Sequence, residues 1–524
     1  MYLGGAPARY DGGLSYVLDL QTRGVRNGGV RSSGALDLLS ARGLIEAPFG
    51  ERGGIMAAAR SVHGLGSTAP LPYGYGEGIA RADLRLGAGA LLSATGFHNQ
   101  ESVRLVPGAV ADSTISWGNR AASARLSGVL RGTEIELTAA LGQYEARLPL
   151  ETPRPVLAEG SVRRTRLAAD FTRRIERVSL RYGGAWDGQV QRYRGRFSGP
   201  AAPEPTWARA DGAVGGIYLD ASGQPHERVR VRGGLRVDHF SLGGRTTAAP
   251  RLSATWLVSD RAALTLAGGR YHQYLRAPEG ALLAASNLPP HARMGYVAPL
   301  SVGSATHLTA GLDQDLGEGF RLGMEGYFKN FQGLPGASAA EANASGVDVW
   351  LRRSRGEITG WAGYSLTWFW SVDGVSAAGN SFSGRHLLSS GIATPLGSRG
   401  RLNASLAYGA GLPYSSIPIA PGDVFPGTSA ENAFTRGTVS AGSEVPPLLP
   451  TPEGAYLRLD LSASRTWNPA LLGGRGEIGS YLKLLNTLGR RDALFYRFDR
   501  GRDDSPRALD ALPIVPVVGV EWRF

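Results

Sequence analysis

The chain ends Ile514-Val515-Pro516-Val517-Val518-Gly519-Val520-Glu521-Trp522-Arg523-Phe524, and the reading of this stretch decides the fold. Every second residue counted back from the terminus is apolar (Phe524, Trp522, Val520, Val518), and between them near the end stand Arg523, Glu521 and Gly519. Successive side chains of a strand point to opposite faces, so the stretch has one apolar and one polar face. A soluble sheet buries its apolar face in a core. A membrane barrel turns that face to lipid and lines a wet lumen with the other.

Recurrence of the pattern separates these two readings. Val229, Val231, Leu235 and Val237 alternate with Arg228, Arg230, Arg232, Arg236 and Asp238. Phe320, Leu322, Met324 and Phe328 alternate with Arg321, Glu325, Tyr327 and Lys329, and Leu457, Leu459, Leu461 and Ala463 with Arg458, Asp460, Ser462 and Ser464. In a soluble two-layer sheet so many arginine-bearing strands would leave one almost continuous cationic wall. A closed barrel solvates that face inside and leaves no strand edge open. The expectation is an all-β protein, a transmembrane antiparallel β-barrel.

Composition agrees. The 524 residues contain no low-complexity or charge-run linker, so one continuous architecture is the simpler reading, and 75 glycines suit many strands and turns. The absence of cysteine removes disulfides, thiolate metal sites and a thiol nucleophile. No apolar run reaches the ~18 residues of a membrane helix, whereas a barrel strand needs only about 9 to 11 alternating residues. The formal charge of +12 raises nucleic-acid binding. The basic residues are nearly all arginine, however, with lysine only at Lys329 and Lys483, and many stand at alternate strand positions, as a lining does.

Link lengths supply an independent reading. Short links at Phe49 to Gly53, Gly87 to Gly89, Arg131 to Thr133, Ser259 to Arg261, Gly317 to Gly319, Ser354 to Gly356 and Gly397 to Gly400 alternate with long ones. The long ones include Asp187 to Asp211, Leu275 to Gly303, Leu412 to Gly454 and Leu488 to Pro513. These are read as short periplasmic turns and long extracellular loops. Counting from a first strand near Val30 to Leu36 gives about 22 strands, the number at which a lumen is wide enough to need a plug. The start, Met1-Tyr2-Leu3-Gly4-Gly5-Ala6-Pro7, has neither the basic nor the apolar region of a secretory signal, and the chain is therefore expected to be the C-terminal part of a longer precursor.

Several stretches carry a family resemblance. PARYDGGLSYVLDLQTR, Pro7 to Arg23, resembles the last strand of the plug domain in TonB-dependent receptors, where the chain passes from plug to barrel wall. EAPFGERGGIMAAARSVH (Glu46 to His63) is similar to the first periplasmic turn with its following strand, and LDQDLGEGFRLGMEGYFKNFQGLP (Leu312 to Pro335) to the mid-barrel hairpin. GWAGYSLTWFW, FSGRHLLSSG, YGAGLPYS, YLRLDLSASR and KLLNTLGRRDALFY follow in family order, and GVEWRF closes the series.

The resemblance implies a plug remnant and linker over residues 1–23 and a barrel over 24–524. It implies a receptor in the bacterial outer membrane that takes up a large or scarce ligand (ferric siderophore, cobalamin or saccharide), energised by the TonB complex through the missing N-terminal region. Its partners would be outer-membrane lipid, that complex, the unknown ligand, and an assembly machinery that reads the C-terminal Trp522 and Phe524. No cofactor, metal, nucleic acid or enzymatic activity is expected. A plugless passive channel is the alternative, and a basic soluble sheet protein binding nucleic acid is a third class.

Catalytic motifs fail on context. Gly474-Arg475-Gly476-Glu477-Ile478-Gly479 fits G-x-G-x-x-G, yet Ile478, Leu482 and Leu484 then alternate at period two, so a hairpin is expected instead of a helix N-terminus. Tyr271, His272, Tyr274 and Arg276 form an aromatic and basic cluster where a strand rises into a long loop. They suit ligand contact at the lumen mouth, but an interfacial aromatic girdle is the preferred reading, and it also covers Trp117, Trp186, Trp361, Trp368, Trp370 and Trp522. Arg230, Arg232, Arg236, Arg321, Arg352 and Arg458, with Arg81, Arg85, Arg228 and Arg523, are expected to line the lumen. They either guide an anionic substrate or pair with Asp83, Asp238, Glu325, Asp348, Asp460, Glu521 and plug carboxylates.

Overall fold

The computed structural model describes residues 5–11, 13–26, 28–63, 73–104, 114–150, 156–197, 206–274, 302–333, 341–371, 385–410, 456–468, 476–490, 493–497, 507–510 and 513–524. The wall opens with β1 (Arg31–Asp37), β2 (Ser40–Pro48), β3 (Gly53–Val62), β4 (Tyr73–Leu86), β5 (Ala90–Arg104) and β6 (Thr114–Leu130). The longer strands β7 (Thr133–Leu150), β8 (Val156–Ile175), β9 (Val178–Phe197) and β10 (Thr206–His226) follow. It continues through β11 (Val229–Phe240), β12 (Arg245–Ser259), β13 (Ala262–Gln273), β14 (Gly303–Gly317), β15 (Phe320–Gln332) and β16 (Glu341–Arg353). Then come β17 (Thr359–Ser371), β18 (Arg385–Leu396), β19 (Gly400–Ala410), β20 (Tyr456–Trp467) and β21 (Glu477–Leu485). The small hairpin β22 (Ala493–Arg497) and β23 (Arg507–Asp510) stands apart, and β24 (Val515–Arg523) ends the wall.

Apart from that hairpin, all strands join one 22-stranded antiparallel sheet. It closes where β24 pairs with β1, Gly34 opposite Trp522 and Leu36 opposite Val520. Ser32 and Phe524 exchange two further backbone hydrogen bonds of 3.0 and 2.7 Å. Closure matters because an edge strand facing hydrocarbon would carry unpaired N–H and C=O groups. Among the described residues no helix is long and apolar enough to cross a membrane; the strands do the crossing.

The two faces invert the soluble pattern. Leu141, Leu167, Ile217, Leu219, Leu235, Leu252, Leu266, Leu308 and Val518 are exposed on the outer face, whereas Asp187, Gln191, Asp220, Asp238, Arg251 and His307 are buried on the inner one. Arg236 is only 1% exposed. Tight turns close one end of the wall, for example Arg131 and Gly132 at φ 50° and 76°, the left-handed pair that a two-residue hairpin turn requires.

Four expectations are corrected. Asp187 to Asp211 is no long link, because β9 runs on to Phe197 and β10 starts at Thr206. The backbone ladder outlasts the apolar alternation, since the outward residues there are Arg192, Arg194 and Arg209. Not every link at the open end is long, for residues 38–39 join β1 to β2 and 241–244 join β11 to β12. Among the described residues of Pro7 to Arg23 there is no strand beyond an isolated bridge at Val17, and side chains of the wall take the carbonyls of Pro7, Tyr10, Leu14, Ser15 and Thr22. Trp117 and Trp361 are not girdle residues: register places them opposite Glu101 and Arg352 on the inner face. Trp186 and Trp522 do point outward, and the Trp370 side chain lies outside the described residues. At the G-x-G-x-x-G stretch the chain enters β21 at Glu477, as a hairpin requires, with 474–475 outside the described residues.

Candidate functional site in the arginine-lined lumen

The N-terminal segment crosses the lumen from wall to wall, and inward side chains hold it by polar contacts. On β11 to β13, Arg232 donates to the Gly5 carbonyl and the Ala6 N–H donates to the Tyr271 hydroxyl at 3.1 Å. Arg251 donates to the carbonyls of Ala6 (3.3 Å), Pro7 and Tyr10 (2.9 Å), and Arg236 to those of Ala8 and Arg9 at 3.4 Å each. A chain with no strand partner must find donors for its carbonyls, and a guanidinium supplies five in a planar fork.

On β7 to β9 the contacts become ionic. Arg9 meets Glu136 at 3.0 Å and Asp170 at 3.5 Å. Asp11 accepts from Arg164 at 3.0 Å and Arg166 at 2.8 Å, and both arginines also bind Asp187, at 2.9 and 2.7 Å. Burial pushes the Asp11 carboxyl up, but Arg166 and Arg164 more than offset this and hold it below the ordinary carboxylate range.

Further along, the segment reaches β14 to β16. His307 Nε2 donates to the Leu14 carbonyl at 2.8 Å and Lys329 Nζ to the Ser15 carbonyl at 2.6 Å. Leu14 itself packs on Ala305, Phe331, Ala342 and Ala344, a small apolar seat in a polar interior. The chain then reaches β2 and β4, where Arg81 donates to the Thr22 carbonyl and hydroxyl at 2.9 and 2.8 Å. Arg23 grips Glu46 with both terminal nitrogens, and the Val25 N–H donates to Asp83 at 3.2 Å.

The expected lumen arginines thus have mixed fates. Arg232 and Arg236 hold the segment. Several pair along their own strand two residues away: Arg236 with Asp238 at 2.7 Å, Arg458 with Asp460 at 2.9 Å and Arg81 with Asp83 at 2.8 Å. Arg321 takes Asp313 at 2.6 Å and Arg523 takes Glu477 at 3.6 Å, partners the sequence did not suggest. Arg230 and Arg352 share the inward face without a carboxylate partner among the described residues. Arg251, Arg164, Arg166, Lys329 and His307 are functional residues that sequence reasoning passed over. The signal was available for Arg251, which alternates with the outward Leu252 and Ala254.

Tyr271, His272 and Tyr274 are 3%, 7% and 6% exposed. Tyr271 lies under the Arg251 guanidinium, 4.5 Å from its ring centre, and 4.5 Å from the His307 ring. Tyr274 bonds Thr247 and packs 5.6 Å from Phe240. The girdle reading is therefore overturned for both tyrosines, whose partners face the lumen. Arg276 lies outside the described residues. Among the described residues no three His, Asp or Glu side chains gather as a metal site would require.

A 22-stranded closed barrel with an apolar outer band and a chain segment across a charged lumen narrows the comparison, and the family model described as TonB dependent receptor-like, beta-barrel matches residues 111–477. The chain belongs to the TonB-dependent receptor β-barrel family. Solved structures with this fold include the copper transporter OprC, at TM-score 0.68 and 12% identity over 99% of this chain and 84% of that one. The FrpB iron transporter from Neisseria meningitidis (F3-3 variant) aligns at TM-score 0.67 and 12% identity, covering 99% and 86%. The siderophore receptor PirA from Pseudomonas aeruginosa aligns at 0.61 and 9%, covering 99% and 85%. At these identities the likeness is one of fold. None of the curated proteins matches in sequence. Family and fold are those of outer-membrane transporters or receptors and not of enzymes, and TonB interaction is a general property of the family.

Proposed function

We propose that the protein carries out energy-coupled uptake across the outer membrane, with a metal chelate of the ferric-siderophore class as its cargo and cobalamin or a saccharide as the other ligand classes. One observation carries the reading: residues 5–11 and 13–26 span the lumen on hydrogen bonds and ion pairs to opposite walls, with a small apolar seat at Leu14. Such contacts exchange for water one at a time, at about 1.5–3 kcal/mol each for bonds to charged groups, so a pull on the segment releases it stepwise without exposing a large core. An apolar plug interface would resist that pull. The fold neighbours named for siderophore, copper and iron support a metal-chelate cargo, and an excess of inward arginine suits an anionic one. Arg232, Arg236 and Arg251 act in this reading as a latch on residues 5–10, with Tyr271 completing it.

The test is uptake of radiolabelled ferric chelates by cells expressing the protein, with and without a working TonB complex. Accumulation is expected only when the complex is intact. Uptake that continues unchanged without it would establish the passive channel instead.

A further inference from the structure

Four residues follow one another in a single row across the inner face of β10 to β13. Asp220 stands opposite Gly234, Gly234 opposite Arg251, and Arg251 opposite Gly269, so the row runs acid, gap, base, gap. Asp220 leans into the first gap, where a Cβ on Gly234 would overlap its Oδ1. Arg251 leans into the second, where a Cβ on Gly269 would meet its Cγ at 3.0 Å. The two opposite charges thus point the same way along the row and miss each other. Both residues are buried, neither has an ion pair among the described residues, and Asp220 Oδ2 and Arg251 Nε lack any hydrogen-bond partner. A carboxylate and a guanidinium left unpaired out of water are costly, so something must hold them apart.

The lumen-crossing segment does so. Ala8 is fully buried over Gly234, its Cβ 3.1 Å from where a side chain on that glycine would begin. Arg251 is drawn the other way by the carbonyls of Ala6, Pro7 and Tyr10 and by the ring of Tyr271. The other nearby charges are engaged: Arg181, opposite Asp220 on β9, donates to Thr172 at 3.3 Å, and Asp238 holds Arg236 at 2.7 Å. When residues 5–10 leave, Arg251 loses all three carbonyls and Ala8 vacates the gap. Neighbouring strands lie about 4.8 Å apart, which puts the backbones of Asp220 and Arg251 roughly 10 Å apart. The three-methylene stem of an arginine crosses that span when the carboxylate already leans toward it.

We propose that Asp220 is the alternative acceptor for Arg251: the two form an ion pair across Gly234 once the segment has left, and Ala8 is the wedge that keeps them apart while it is attached. The pair offsets part of the loss of the segment's carbonyls, so release leaves no bare guanidinium on β12, and re-entry of the segment must break the pair. The inference rests on the release of the segment that the transport reading requires, and is independent of what pulls the segment and of the cargo.

Purified protein in detergent, without the TonB complex or a cargo, tests it, so its failure and that of the transport reading are told apart. The chain has no cysteine, and Ala6→Cys places one buried thiol on the segment, whose maleimide reaction rate follows the population of the released state. Because Asp220 stabilises the released state alone, Asp220→Asn is expected to lower that rate, by about fivefold for an ion pair on a wetted wall. A carboxylate that only steadied Arg251 in the attached state would give a rise instead. With Arg251→Met in place, Asp220→Asn is expected to change nothing, whereas with Arg232→Met the fivefold fall is expected to remain. Folding of each variant is read from its heat-modifiable gel band, and Asp220→Ser gives the same reading should the asparagine variant not assemble. A rate that rises or stays constant without the Asp220 carboxylate, a fall that persists beside Arg251→Met, or one that disappears beside Arg232→Met overturns the assignment.

Discussion

Asp11 carries more of the segment's attachment than its place in a glycine-rich stretch suggests. Its carboxylate joins Arg164 and Arg166, which also bind Asp187, so one acidic group ties the lumen-crossing chain to two strands. A carboxyl held below its unfolded value of about 3.9 contributes stability that is fully present above that value and lost only as pH falls through the lower folded value. Asp11's own share of the attachment is therefore expected to be constant between about pH 5 and 8. The measurement is the maleimide reaction rate of Ala8→Cys, since Ala8 is fully buried in the attached state. Adding Asp11→Asn should raise that rate about fivefold throughout the window, for a loss of ~1 kcal/mol after solvent screening of the half-exposed Arg164. A difference between the two proteins that vanishes anywhere between pH 8 and 5 would remove Asp11 from this role.

The strands are read most safely by face. On β10, Ile217 is 69% exposed on the outer side, and Tyr218 next to it is buried on the inner side. Ile217 lies in the middle of the apolar band, between the outward Asp211 and the turn after His226. An arginine placed at the midplane of a barrel's lipid face costs about 2–4 kcal/mol. Ile217→Arg is expected to reduce the folded, heat-modifiable band in outer membranes, whereas Arg232→Val, on the inner face of β11, should assemble normally and lose only its bond to Gly5. Equal yields of the two variants would contradict the two-faced wall. The same logic explains the paired arginines: in Arg81-x-Asp83, Arg236-x-Asp238 and Arg458-x-Asp460 both members share one face, so the ion pair is written in the spacing.

For the molecule as a whole, closure is the decisive event. Among the described strands β24 bridges β21 and β1, with Ile478 opposite Trp522 on one side and Gly34 opposite it on the other. A Cβ at Gly34 would meet the Trp522 ring at 2.4 Å, so the glycine is what lets the indole lie across β1. Deleting Trp522 to Phe524 removes two of the five register pairs with β1, two of the nine with β21 and both bonds between Ser32 and Phe524, and so opens strand edges to lipid. Loss of the heat-modifiable band is expected, with the chain degraded or aggregated. A truncated chain that still ran as a folded outer-membrane species would mean that closure does not depend on these residues.

The architecture was legible because a barrel's wall is a local code. Period-two alternation in Val229 to Asp238, in Phe320 to Lys329 and in the final strand specifies which face meets lipid without reference to any distant residue. The strand count came from the alternation of short and long links, and the pairing of the last strand with the first from the cost of an open edge in lipid. The code falls silent where both faces meet water, which is why β9 and β10 beyond Val190 read as a loop. Contacts between residues far apart in the chain were beyond it. Nothing local in Pro7 to Arg23 says that Arg251 and Tyr271 will take its carbonyls and amides, that Asp11 will sit between Arg164 and Arg166, or that Leu14 will find Phe331. Those partners are hundreds of residues away and meet only because the closed sheet brings its inner face around the segment, so the wall belongs to the sequence and the lumen's occupancy to the tertiary structure.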